Sequence, residues 1–133
     1  MKDHPQHPVR QLEPLDLWNR FADLNAIPRP SKHEDNVVEW LHQWAKDKGL
    51  SSLQDEVGNV LIKKPSTPGM EGRKTVVLQS HVDMVCQKNE ATDFDFMAEG
   101  IRMLVDGDWV RADGTTLGAD NGIGVASILA VLE

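Results

Sequence analysis

Apolar residues recur at helical spacing twice in the first third of the chain. Leu17, Trp18, Phe21 and Leu24 fall on one face of a helix of about three turns, and Pro14 suits its first turn. The segment Ala-Ile-Pro-Arg-Pro-Ser, Ala26 to Ser31, ends it, because proline forces the preceding backbone to extend. Ser31 and Glu34 match a capping box ahead of a second helix. Its stripe is Val37, Val38, Leu41, Trp44 and Ala45, and Gly49 marks its end. Trp40 and Trp44, four apart, read as core packing rather than as a ligand-stacking pair, and His42 between them as a solvated side chain.

Further on, two short strands are expected around a turn at Val57-Gly58-Asn59, followed by a surface loop from Pro65 to Arg73. Thr75 to Gln79 is apolar on both faces, the pattern of a central strand covered by helices. A hairpin is expected about Asp106-Gly107, and a last helix, carrying Ile123, Ala126, Ala130 and Val131, after Asp120-Asn121-Gly122. Helices, then strands, then a helix give an α/β class. Residues 1–13 are polar, contain two His-Pro pairs and read as a loose arm in which His4 and His7 are solvated; residues 14–133 form the domain. The apolar helical pattern is still running at Glu133, so the chain is expected to be the N-terminal portion of a longer protein.

The net charge of −7, with acidic residues scattered along the chain, leaves no basic face for phosphates and argues against a nucleic-acid partner. No apolar run approaches a membrane span, and the polar start lacks a signal-peptide core, so a cytoplasmic protein is expected. The single cysteine, Cys86, cannot form an internal disulfide. It lies near the most chemically suggestive stretch, but no papain-like His and Asn pattern accompanies it, so an ordinary packed thiol is the reading.

That stretch is Leu78 to Val85, Leu-Gln-Ser-His-Val-Asp-Met-Val. Residues two apart on a strand face the same way, so His81 and Asp83 can share a pocket at the carboxyl end of the presumed central strand. One imidazole nitrogen can bind zinc while the other N–H is fixed by the carboxylate; on so short a pattern alone, structural roles for both residues are the commoner reading. A second constellation, Gly114 to Gly124, crowds glycines and an Asp-Asn pair before a helix. It lacks the lysine and spacing of a phosphate loop. Asp120 can bridge two cations there or simply cap the helix.

Taken together, the segments around His81 and Asp120 resemble the aminoacyl-histidine dipeptidases, dinuclear zinc enzymes of a wider metallopeptidase clan. Ala-Ile-Pro-Arg-Pro-Ser-Lys-His-Glu-Asp and the stretch from Asp55 to Lys74 are similar to the same family, so the likeness covers nearly all of the chain after the first dozen residues. The resemblance implies an α/β/α catalytic domain with helices flanking a mixed sheet. It implies His81 as a ligand to one zinc, Asp120 as the carboxylate bridging two zincs, and Asp83 as the catalytic residue that orients the His81 ring. It also implies a cis peptide after Asp120, a dipeptide substrate of the Xaa-His type, manganese or cobalt as alternative metals, and a homodimer of the complete protein. The family's Glu-Glu pair (general base and ligand), a later aspartate and a distant histidine have no match before Glu133, so this chain alone is expected to be inactive. A non-enzymatic module of the same fold, or a clan relative acting on other dipeptides or acyl-amino acids, is the alternative.

Overall fold

A computed structural model describes residues 7–133; the expected arm over residues 1–6, His4 included, lies outside the described residues. From His7 on, the chain is packed. Pro8–Gln11 form a 3-10 turn, with the His7 ring accepting from the Val9 amide. Val9 is fully buried, and Arg10 pairs with Asp23 at 2.7 Å.

Three helices follow the apolar stripes. α1 is Leu15–Asn25, α2 is Asp35–Asp47 and α3 is Ala119–Leu132. Leu24 of α1, Val37, Leu41, Trp44 and Ala45 of α2, and Val125 and Leu129 of α3 form one core cluster. On the other side of α3, Ala126 joins Phe21, Ala22, Val9 and Met103 in a second. α3 is thus covered from two directions, which explains why its sequence is apolar nearly all round.

Two antiparallel hairpins complete the secondary structure. β1 (Ser51–Gln54) pairs with β2 (Val60–Lys63), and β3 (Met103–Asp106) with β4 (Trp109–Ala112). The first turn is organised by Asp55, whose Oδ1 accepts from the amides of Val57 and Asn59, and Gly58 takes the positive φ of +95° that the turn requires. The second turns on Gly107 and Asp108, one residue later than the sequence pattern indicates.

The class is α/β as expected, but the sheet present consists of these two separate ladders. The central strand expected over Thr75 to Gln79 is not formed: no described segment lies alongside to complete a ladder, and Val76, Val77 and Leu78 are exposed. A single parallel bridge, Pro30 with Met84, joins the chain five residues beyond this run to the segment after α1. The capping box is also redirected. Glu34 stands at the N-cap without a capping bond, its Oε1 accepting instead from the Lys32 amide at 2.7 Å, and the Ser31 hydroxyl goes elsewhere. His42 is not simply solvated; its ring bonds Ser52 Oγ at 2.7 Å and Gln54 Oε1 at 3.2 Å, tying α2 to β1.

Candidate metal site

Two backbone segments carry the site. The first is the extended run ending in His81-Val82-Asp83; the second is the glycine-rich approach to α3. Several bonds bring them together. Thr116 Oγ1 donates to the Val85 carbonyl at 2.7 Å, the Thr116 amide to the Gln87 carbonyl at 2.8 Å, and Ser80 Oγ to the Asn121 carbonyl at 3.1 Å. Gly118 turns the second segment with a φ of +75°; a Cβ there would lie 2.5 Å from Arg29 Nη2 and 3.0 Å from Met84 Sδ. Only glycine combines that backbone with so close an approach.

The geometry puts His81, Asp83 and Asp120 in one place. His81 Nδ1 lies 3.0 Å from Asp83 Oδ1, and His81 Nε2 lies 3.1 Å from Asp120 Oδ1, across 39 residues of sequence. Asp83 uses its other oxygen to accept from Ser31 Oγ at 2.5 Å. Ser31, Asp83 and His81 therefore form a chain of side chains that fixes the ring by its Nδ1 edge. The peptide between Asp120 and Asn121 is cis, as the resemblance implies. The α3 backbone departs from helical values at Asp120 and Asn121, and the helix beyond this kink is capped by Asn121, whose Oδ1 accepts from the Gly124 amide at 3.1 Å. Asp120 is left with its side chain 97% exposed and its oxygen directed at the imidazole.

Electrostatics follow from these contacts. Burial alone pulls the His81 pKa down, but the bonds to Asp120 and Asp83 outweigh it and hold it above the ordinary imidazole value. The Asp83 carboxyl is held below its ordinary value, chiefly by the Ser31 hydroxyl and then, against burial, by the His81 charge. Burial raises the Cys86 thiol, with Arg29 opposing; its Sγ rests 3.7 Å from the Met84 carbonyl, a packed side chain.

Sequence reasoning missed two contributors. One is Ser31, whose spacing from Glu34 reads as a helix cap. The other is Arg29, which is 1% exposed and whose pKa burial pushes down to about 10. Its only sequence signal is a charged residue set between two prolines, Pro28 and Pro30.

With its proton on Nδ1 facing Asp83, a neutral His81 presents the Nε2 lone pair to the same point as an Asp120 oxygen. One nitrogen and one carboxylate donor converging in this way fit a divalent cation such as zinc. Among the described residues no group of three or more donors forms. Beside the His81 ring opens a cleft of about 890 Å³, lined by Glu34, Leu53, Leu61, Ser80 and Asp83 among others, within the size range of small-ligand sites.

No family model matches the chain. It is 57% identical, over 93% of its length, to the cytosol non-specific dipeptidase of Escherichia coli strain K12, and 26% identical over 88% of its length to the uncharacterized protein YqjE of Bacillus subtilis strain 168. The crystal structure of aminoacylhistidine dipeptidase from Vibrio alginolyticus superposes with a TM-score of 0.92 at 54% identity over 96% of the chain. The chain spans about a quarter of the length of both dipeptidases, 26% in each case.

Proposed function

From a chain that resembles a quarter of an aminoacylhistidine dipeptidase in sequence and in fold, we propose that the complete protein is a metal-dependent dipeptidase. His81 and Asp120 would be metal ligands, with Asp120 bridging two ions, and Asp83 would orient the imidazole. The observation that carries this reading is the 3.1 Å approach of His81 Nε2 to Asp120 Oδ1, with Nδ1 already engaged by Asp83. Two zinc ions are the proposed cofactor, with manganese or cobalt as alternatives; when bound they would supply Lewis acidity toward a water and a scissile carbonyl.

This chain's own residues do the holding. Ser31 keeps the Asp83 carboxylate turned so that Oδ1 stays on His81 Nδ1. Asp83 in turn keeps the ring proton on Nδ1, so Nε2 is free to donate its lone pair. Exposure leaves the second Asp120 oxygen open to a second cation. The cleft beside His81 is the proposed seat of a dipeptide, with a preference for histidine in the second position. A general base and the remaining ligands would come from other residues. The 133 residues alone, with two donors where zinc wants three or four, are expected to bind zinc weakly and to turn over no dipeptide. We further propose a cytoplasmic protein, in line with the cytosol named for the Escherichia coli relative, acting on dipeptides without nucleic-acid or membrane partners and as a homodimer when complete. No helix among the described residues is long and apolar enough to cross a membrane.

The test is zinc binding and Xaa-His dipeptide hydrolysis by the complete protein, beside His81→Ala and Asp120→Ala. Both variants are expected to lose zinc and at least a hundredfold in hydrolysis. Wild-type turnover in either one rules the assignment out.

A further inference from the structure

Arg29 and Asn25 are the buried polar side chains among the described residues, and Arg29 carries a full charge. A charge out of water persists only where most of its donors are met; here Nε finds no acceptor among the described residues, and the two Nη groups carry the bonds. Arg29 Nη1 donates to the Val82 carbonyl at 2.8 Å. Nη2 donates to the Gly118 carbonyl at 3.0 Å and to Asn25 Oδ1 at 2.7 Å. Val82 lies between His81 and Asp83, and Gly118 lies two residues before Asp120. One guanidinium therefore spans the two segments whose side chains meet at the site, from partners 53 and 89 residues away in sequence. Its own backbone is locked to the first of them: the Met84 amide donates to the Arg29 carbonyl at 3.1 Å, and the Ser31 amide to the Met84 carbonyl at 3.3 Å.

We infer that Arg29 is a positioning residue whose planar fork sets the spacing between His81 and Asp120 by holding the carbonyls of Val82 and Gly118. This rests on the metal-site reading above. A lysine at position 29 keeps the charge but presents a single ammonium on a flexible stem, without two rigid donors at a fixed separation. The role is thus one of geometry as well as of cohesion, and the two are separable by experiment.

The measurement is zinc affinity of the complete metal-free protein by chelator competition, with cobalt(II) absorption reporting coordination geometry. Arg29→Lys is expected to weaken zinc binding by about tenfold or more, the range for loss of a group that supports a ligand, and to alter the cobalt spectrum. Asn25→Ala, which removes one Nη2 partner and leaves the fork in place, is expected to change both in the same direction by less. Val9→Ala, a core truncation in the N-terminal turn, is expected to lower thermal stability with zinc affinity unchanged. Wild-type affinity and spectrum in Arg29→Lys, or in Asn25→Ala if Arg29→Lys does not fold, overturns the inference. So does a loss of zinc affinity in Val9→Ala equal to that of Arg29→Lys. His81→Ala separates the two levels: unchanged zinc binding there sinks the metal site and this inference together, whereas loss there without loss in Arg29→Lys sinks the inference alone.

Discussion

In the run from Thr75 to Gln79, Val77 stands 79% exposed, whereas the guanidinium of Arg29 is 1% exposed. The Pro30–Met84 bridge lies next to Arg29 and five residues beyond the run. The difference between the two regions is one of partners. An apolar side chain is buried only where something covers it, and no described segment lies on either side of the run. A charged side chain is buried where fixed acceptors surround it, and Arg29 finds two carbonyls and an amide oxygen. These three bonds, made although Nε stays without an acceptor among the described residues, outweigh hydropathy in deciding which of the two is inside.

The sharpest way to break this contrast is Arg29→Met. It leaves the oxygens of Val82, Gly118 and Asn25 without their donor in a buried place, and is expected to destabilise by about 3–5 kcal/mol in urea denaturation. A change under about 1 kcal/mol would show that the guanidinium is not held as described. Next in size is Asn121→Ala, which removes the acceptor of the Gly124 amide at the start of α3. About 1 kcal/mol is expected, the usual worth of a helix cap, and thermal denaturation reads it.

Smaller still is the contribution of Glu133, whose carboxylate meets Lys48 and lies 3.6 Å from Arg20. The Lys48 bond and the Arg20 charge hold its pKa below the ordinary 4.5, against burial. A depressed carboxylate stabilises the fold above its unfolded pKa, and that stability is lost as pH falls through the folded value. Glu133→Gln should therefore flatten the acid side of the stability curve below about pH 4.5 and cost under ~1 kcal/mol at neutral pH, since the pair is largely solvated. Least of all is Val77→Ser in the 133-residue chain, expected within about 0.5 kcal/mol of the parent. A loss above 2 kcal/mol would mean the run is packed in solution, and the contrast with Arg29 would disappear.

Much of this architecture is legible in the amino-acid order because it is local. The stripe from Val37 to Ala45, the stop at Gly49 and the turn at Gly58 depend on neighbours a few residues away, and all three stand in the structure. What was misread depends on distant partners. The Ser31-Glu34 spacing is that of a cap, but the hydroxyl meets a stronger acceptor in Asp83, 52 residues on. Thr75 to Gln79 has the composition of a strand, yet a strand exists only with a neighbour to bond. Arg29 is invisible for the same reason, since its acceptors lie far along the chain. The pairing of His81 with Asp120 follows from the family resemblance, whereas spacing alone favours for Asp120 a helix cap that Asn121 in fact provides.

Met84 is 4% exposed and sits with its sulfur against Gly118, beside the buried guanidinium, while Met97 is 55% exposed and Met70 45%. Peroxide converts a thioether to a polar sulfoxide only where it can reach it. Met97 and Met70 will therefore be oxidised at the rate of open solvent, and Met84 only as often as the segments around Arg29 part. The ratio of those rates, read by mass spectrometry on one sample, turns a packed sulfur into a clock for the breathing of this corner of the molecule.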